Sequence, residues 1–297
     1  MGTPRRRWDA RMIALRYDAS PEEDFEVAIG LFLTRLKVKN DSPLTINWYR
    51  ERLTHFAKFA EARSETPATF SRETIEAFLL EKSKRIKPTS VNRYLAAIRT
   101  FCNFMRKEGI RHDNPTDGIE KLQEPLYYPR TLSDEQIVSL INTISEYSHT
   151  FVGLRDLTLV SLLLNTGLRI SEALNLTFND VDVAQRFVRV VGKRQREWFV
   201  PIGENVRVLL VRYLAKRLKV RTGDWLFITT LGRKISRREA RKIIATWTKR
   251  AGIGGVRISP HSLRFTFIRK WLQLEDDSLV LQPNTRAQLI GGNKLLC

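Results

Sequence analysis

Apolar residues between positions 21 and about 121 recur at spacings of three and four, the repeat of α-helices that each bury one face. Phe25, Ile29, Phe32, Leu33 and Leu36 form the first such face. Ser42-Pro43 reads as a helix start, with serine placed to cap and proline pre-set for the first turn. The face that follows runs Ile46, Tyr49, Leu53, Phe56, Phe59. A third helix opens near Ser71 and turns Ile75, Phe78 and Leu79 inward. A fourth runs from Thr89 through Val91, Leu95, Ile98, Phe101, Phe104 and Met105. It stops at Gly109, a residue suited to the left-handed turn after a helix. The aromatics in this half are read as core. The polar faces carry Arg50, Arg52, Lys58, Lys84, Arg85, Lys87, Arg93 and Arg99.

Asn114-Pro115, Pro125 and Pro129 mark a linker, because proline resists helix continuation. Ser133 then caps a new helix, with Gln136 three residues on in capping-box spacing. Beyond it the periods mix. Residues 154–165 are apolar on every side, a buried helix ended by Gly167. Residues 187–191 have the β-branched content of a strand, and 196–202 pair back onto it around a tip at 192–195. Residues 225–228 read as a further short strand, and 237–250 as helix. The expectation is a multidomain chain: a basic tail at 1–20, an all-α domain at 21–121, a linker at 122–130, and a mainly helical α+β domain with a small sheet at 131–297.

Length and charge sharpen this picture. The 297 residues suffice for two cores, and the 42% hydrophobic content excludes disorder of the whole chain. The 51 basic and 32 acidic residues leave a formal charge of +19, which favours a polyanionic partner such as nucleic acid. Between positions 189 and 250 there are 18 Lys/Arg against 4 Asp/Glu, so the excess concentrates around the expected hairpin. No apolar run is long enough for a membrane span, and no apolar stretch follows the basic start as it would in a secretory signal. Cys102 and Cys297 are too far apart in sequence for metal-ligand spacing and fit a reducing, cytoplasmic setting.

The candidate chemistry lies in three short segments. Arg169 sits in Thr166-Gly167-Leu168-Arg169-Ile170-Ser171-Glu172, and Arg264 in His261-Ser262-Leu263-Arg264. A guanidinium stays charged and its planar fork matches two phosphate oxygens, so two of them could hold a phosphodiester with no metal or cofactor. Lys193, at the hairpin tip, could protonate a leaving 5′ oxygen. His261 precedes Arg264 by one helical turn and could bind the phosphate or accept a nucleophile's proton.

Taken together, these segments resemble the tyrosine recombinases, also called the phage integrase family, and in particular its Xer-like members. Residues 165–174 look like the first arginine box. Residues 190–196, followed by Val200-Pro201-Ile202, are similar to the lysine hairpin. Pro260-His261-Ser262-Leu263-Arg264 looks like the His-x-x-Arg box, with Phe265 where a histidine is common. The helical half is similar to the family's SAM-like core-binding domain, and the likeness spans roughly 22–282. It implies a double-stranded DNA partner, assembly as a tetramer on paired sites, and site-specific recombination or integration, often for a mobile element. It also implies catalytic roles for Arg169, Lys193, His261 and Arg264, with DNA contacts from Arg93, Arg99, Arg194, Arg196, Arg237, Arg238 and Arg241. In the family a tyrosine near the C-terminus attacks the phosphate and forms a 3′-phosphotyrosyl link.

That tyrosine is where the pattern breaks. The register from Arg264 holds through Gln282 and then fails. It places Ala287 at the second histidine position and Leu296 at the nucleophile. Alternatively, Leu289-Ile290-Gly291-Gly292 is a slipped segment with Gly292 in place of histidine. No tyrosine follows Arg264 among the 297 residues. A shifted or truncated reading frame from about 283, a DNA-binding relative that has lost cleavage, and a tyrosine donated by another subunit all fit. A cleavage-defective family member is the expectation. The alternative is a non-catalytic DNA-binding regulator that competes with an intact recombinase, while general RNA binding would leave the three segments unexplained.

Overall fold

The computed structural model describes residues 20–125, 129–192, 196–220, 223–254 and 258–276, and divides the chain into two compact units that meet in sequence at 126/127. Residues 1–19 of the basic tail, Lys193 and Arg194 lie outside the described residues.

The described residues of the first unit form four helices: α1 (Phe25–Val38), α2 (Pro43–Glu61), α3 (Arg72–Ser83) and α4 (Pro88–Glu108). The caps are those the sequence offers. The Ser42 hydroxyl accepts from the Thr45 amide at 3.1 Å, Ser71 does the same for Thr74, and Gly109 ends α4 at φ 77°. Phe25, Phe56, Phe70 and Phe78 fill the centre with edge-on and stacked rings. The segment after α4 differs from its linker-like composition. Asn92 binds both the amide and the carbonyl of Leu122, and Arg99 reaches the Ile119 carbonyl at 2.6 Å. Asn114 and Thr116 are buried. Residues 110–122 therefore pack as part of the helical unit, because α4 side chains satisfy their backbone groups.

The second unit begins with α5 (Asp134–Ser145), whose capping box is formed by Ser133 and Gln136. Next come α6 (Phe151–Thr166) and the short α7 (Ile170–Asn175). A three-stranded antiparallel sheet follows in the order β1 (Val181–Asp182), β2 (Phe187–Val191), β3 (Glu197–Pro201). In the hairpin Phe187 faces Pro201 and Val191 faces Glu197. Alternation turns Val188, Val190 and Val200 into the core, while Phe199 on the other face is 62% exposed. α8 (Glu204–Arg217), α9 (Arg237–Arg250) and α10 (Pro260–Asp276) complete the described elements.

The expected strand at 225–228 is not one. Its ends form single bridges, Thr177 to Trp225 and Ile228 to Lys234. Its other backbone groups are taken by non-strand partners: the Leu226 amide donates to Leu176, and the Tyr213 hydroxyl and Arg217 bind the Leu226 and Trp225 carbonyls. Among the described residues no strand pairs along its length.

α6 is buried on nearly every side and carries a charge pair inside. Arg155 and Asp156 meet at 2.7 Å, Arg155 also binds the Ile228 carbonyl, and the Trp247 indole donates to Asp156 at 2.8 Å. Burial pushes the Asp156 carboxyl up, against the opposing pull of Arg155 and Trp247. Such a pair is tolerated because its partners are complete; removing one would cost on the order of 3–5 kcal/mol.

Candidate phosphate-binding site

Two helix ends assemble the site. α6 stops at Gly167, which takes φ 61°, and the chain turns through Leu168 into α7 with Arg169 at its start. α10 starts at Ser259-Pro260. There Ser259 and Ser262 exchange side chain-to-amide bonds, and the proline occupies the first turn. One turn further on, Arg264 donates to the Gly167 carbonyl. Arg264 and Arg169 thus come to the same cavity wall from segments 95 positions apart.

Glu172 fixes the geometry of Arg169. One carboxylate oxygen accepts from the Arg169 amide at 2.7 Å and the other from its guanidinium at 2.9 Å. The Arg169 side chain is 41% exposed, so the same fork also faces outward. Burial lowers the pKa of Arg264, the nearby Arg169 charge lowers it further, and Glu172 opposes both. An arginine stays protonated under any physiological condition. The shift therefore marks mainly the burial of this cation, with the neighbouring Arg169 charge as a second contribution.

The cavity they border has a volume of about 490 Å³. The strand β3 supplies one wall through Trp198, Val200 and Pro201, and α10 supplies Phe267 and Trp271. Asn165 ties the wall together by accepting from the Gly203 amide at 2.8 Å.

His261 keeps its place one turn before Arg264, but its ring is exposed and stands edge-on to Phe265 at 5.3 Å, and it is not among the cavity walls. Arg93, Arg196, Arg237, Arg238 and Arg241 are exposed, whereas Arg99 is half-buried and bonded to Ile119. Among the described residues no group of three His, Cys, Asp or Glu is placed to hold a metal ion, and no helix is long and apolar enough to cross a membrane. Two features escaped the sequence reading. Glu172 sits three residues after Arg169, the capping-box spacing, which is a usable signal. The aromatic walls, Trp198, Phe267 and Trp271, carry no such mark.

The model of the phage integrase family matches residues 130–282, and that of the phage integrase N-terminal SAM-like domain matches 29–109. The chain belongs to the phage integrase family. Tyrosine recombinase XerC of Haemophilus influenzae (strain PittEE) is 30% identical over 272 residues, covering 90% of this chain and 89% of that protein. XerC of Thermodesulfovibrio yellowstonii is 31% identical over 84% of each. Among solved structures, a lambda integrase dimer bound to a COC′ core site superposes with a TM-score of 0.68 at 14% identity, over 90% of this chain and 94% of that one. XerH site-specific recombinase in a post-cleavage complex with palindromic difH gives 0.68 at 18%, over 91% and 82%. These two likenesses establish the integrase fold: a helical SAM-like domain and a mainly helical domain with a small antiparallel sheet.

Proposed function

We propose that this integrase-family chain grips double-stranded DNA and holds one phosphodiester between Arg169 and Arg264, yet as this polypeptide does not cut the strand it holds. The observation that carries the reading is the pairing of the two arginines at one cavity wall, with no tyrosine lining that cavity among the described residues.

Cleavage through a phosphotyrosyl link requires three things: charge on the non-bridging oxygens to be stabilised, an oxygen nucleophile to attack phosphorus, and a proton for the departing 5′ oxygen. The arginine pair supplies the first. Lys193 is assigned as proton donor and His261 as phosphate ligand or proton acceptor. Among the described residues no tyrosine lines the cavity to serve as attacker. Tyr213 is fully buried with its hydroxyl bonded to Leu226, and the Tyr94 hydroxyl is bonded to His55 in the helical unit. Arg93, Arg99, Arg194, Arg196, Arg237, Arg238 and Arg241 are assigned to phosphate contacts along the duplex. The DNA complexes of lambda integrase and XerH support a duplex DNA partner. Assembly as a tetramer on paired sites, for recombination in the cytoplasm, belongs to the same proposal.

A nicked suicide substrate tests the reading. The expected result is a salt-sensitive complex with no covalent product. A protein–DNA adduct that survives denaturant would overturn it, and mapping the adduct would name the nucleophile. A regulatory role is the second reading, favoured by a clamp that is assembled without its attacker. It predicts that adding this chain to an intact recombinase of the same site specificity lowers recombination in proportion to site occupancy.

A further inference from the structure

Helix α8 is apolar on two faces, and the fold of its own unit uses one. Val206, Leu210 and Tyr213 turn inward and are buried in the core of the second unit. On the nearly opposite side Val208, Val211, Ala215 and Leu218 follow one another at steps of three, four and three. That spacing lays them in one line along a helix. Leu218 extends the line past Arg217, because it keeps right-handed helical angles and its amide still donates to the Leu214 carbonyl. Val208 is 43%, Val211 44% and Leu218 65% exposed, and Ala215 is exposed as well. Single exposed apolar residues are ordinary on a protein surface, but four in register over about 15 Å match the seam of a helix–helix contact.

The two edges of this line are unequal in charge. Arg212 and Lys219, both exposed, stand on one edge, one heptad or about 10 Å apart. On the other edge Arg207 is neutralised: Glu204 accepts from it at 2.9 Å and meets Arg186 at 3.5 Å. Glu204 is the one acidic residue of α8, so the helix offers no carboxylate to Arg212 and Lys219. A second copy of this face brings only further cations to that edge. A nucleic-acid backbone pairs with the cations but leaves the apolar line in water. An acidic amphipathic helix satisfies both.

We propose that the outer face of α8 is a docking surface for an acidic amphipathic helix of a partner protein, with Val208, Val211, Ala215 and Leu218 taking its apolar seam and Arg212 and Lys219 its carboxylates. The surface is separate from Arg169 and Arg264, which stand at the start of α7 and on α10. Burial of the seam supplies affinity, and the charged edge sets the orientation and rejects basic helices.

A labelled three-heptad peptide with leucine at each a and d position and glutamate at e and g is the probe. One control replaces its leucines with alanine at equal charge, and a second replaces its glutamates with lysine. In anisotropy titrations of the full chain, the leucine–glutamate peptide should bind at least about tenfold more tightly than the alanine control. The lysine control should not bind. Val211→Ser combined with Leu218→Ser should weaken the peptide about tenfold and leave duplex DNA affinity unchanged, which also reports a folded chain. Arg212→Gln combined with Lys219→Gln should weaken it several-fold and flatten its salt dependence. Equal affinity for the leucine and alanine peptides, or binding indifferent to the serine substitutions, assigns the contact to general basic charge and overturns the proposal. A concentration-dependent dimer in sedimentation that the serine substitutions abolish also overturns it, because the face then belongs to a second copy.

Discussion

Phe267 lies directly over the α-carbon of Gly167. A β-carbon built on Gly167 would come within 2.2 Å of the Phe267 ring, and the glycine already sits at φ 61°. Its carbonyl is held by Arg264, three residues before Phe267 on the same helix. One glycine is thus gripped on two sides by α10, and that grip brings the second arginine to the first.

Gly167→Ala should therefore lower unfolding free energy by about 3 kcal/mol, combining a left-handed backbone with an overpacked contact. Urea unfolding measures it. Phe267→Ala in the same chain should recover part of the loss, since it removes the clash and leaves the backbone strain; strict additivity of the two substitutions would contradict the contact.

Arg169→Gln removes one charge from the clamp and leaves a shorter, neutral polar side chain. Affinity for duplex DNA should fall by about tenfold, and the slope of log affinity against log salt should shrink by about one. Fluorescence anisotropy at several salt concentrations separates these two effects. An unchanged slope would mean that Arg169 does not touch a phosphate.

Tyr213 makes stability depend on alkaline pH. Burial pushes its phenol up to about 12, against an ordinary value near 10. The folded chain holds that proton more tightly than the unfolded chain. The contribution is complete below pH 10 and is lost as pH rises through 10 to 12. Tyr213→Phe should flatten this part of the stability curve, and absorbance at 295 nm should show one tyrosine ionising only on unfolding.

Cys102 is fully buried and burial raises its thiol to about 12, so almost none is thiolate at neutral pH. In a Cys297→Ser chain, a thiol reagent should label Cys102 only at the rate at which the helical unit opens. Rapid stoichiometric labelling under native conditions would contradict the burial.

Much of this was legible in the sequence because it is local. Serine and proline at helix starts, glycine at helix ends, and the three-and-four spacing of Phe25 to Leu36 each act within one turn. The caps at Ser42, Ser71 and Ser133 are found as expected. Arg169 and Arg264 were picked out by their neighbours, and the structure puts them on one wall. What stayed hidden depends on partners far away in the chain. Residues 225–228 have strand composition, but side chains of α8 and an isolated bridge at each end claim their backbone. The helix α8 itself was missed. The aromatic cavity walls come from β3 and α10, and no local spacing announces that they face each other.

The backbone of Leu132 has a consequence for how the second unit is made. Its amide donates to the Thr266 hydroxyl and its carbonyl accepts from Arg269, partners 134 and 137 residues later. On the ribosome, the buried start of this unit has no partner until α10 has emerged, so its two backbone groups stay hydrated while most of the unit is synthesised. The last described helix therefore acts as a clasp on the first residues of its own unit. The arginine clamp is completed in the same late event, and a nascent chain does not present it to DNA beforehand.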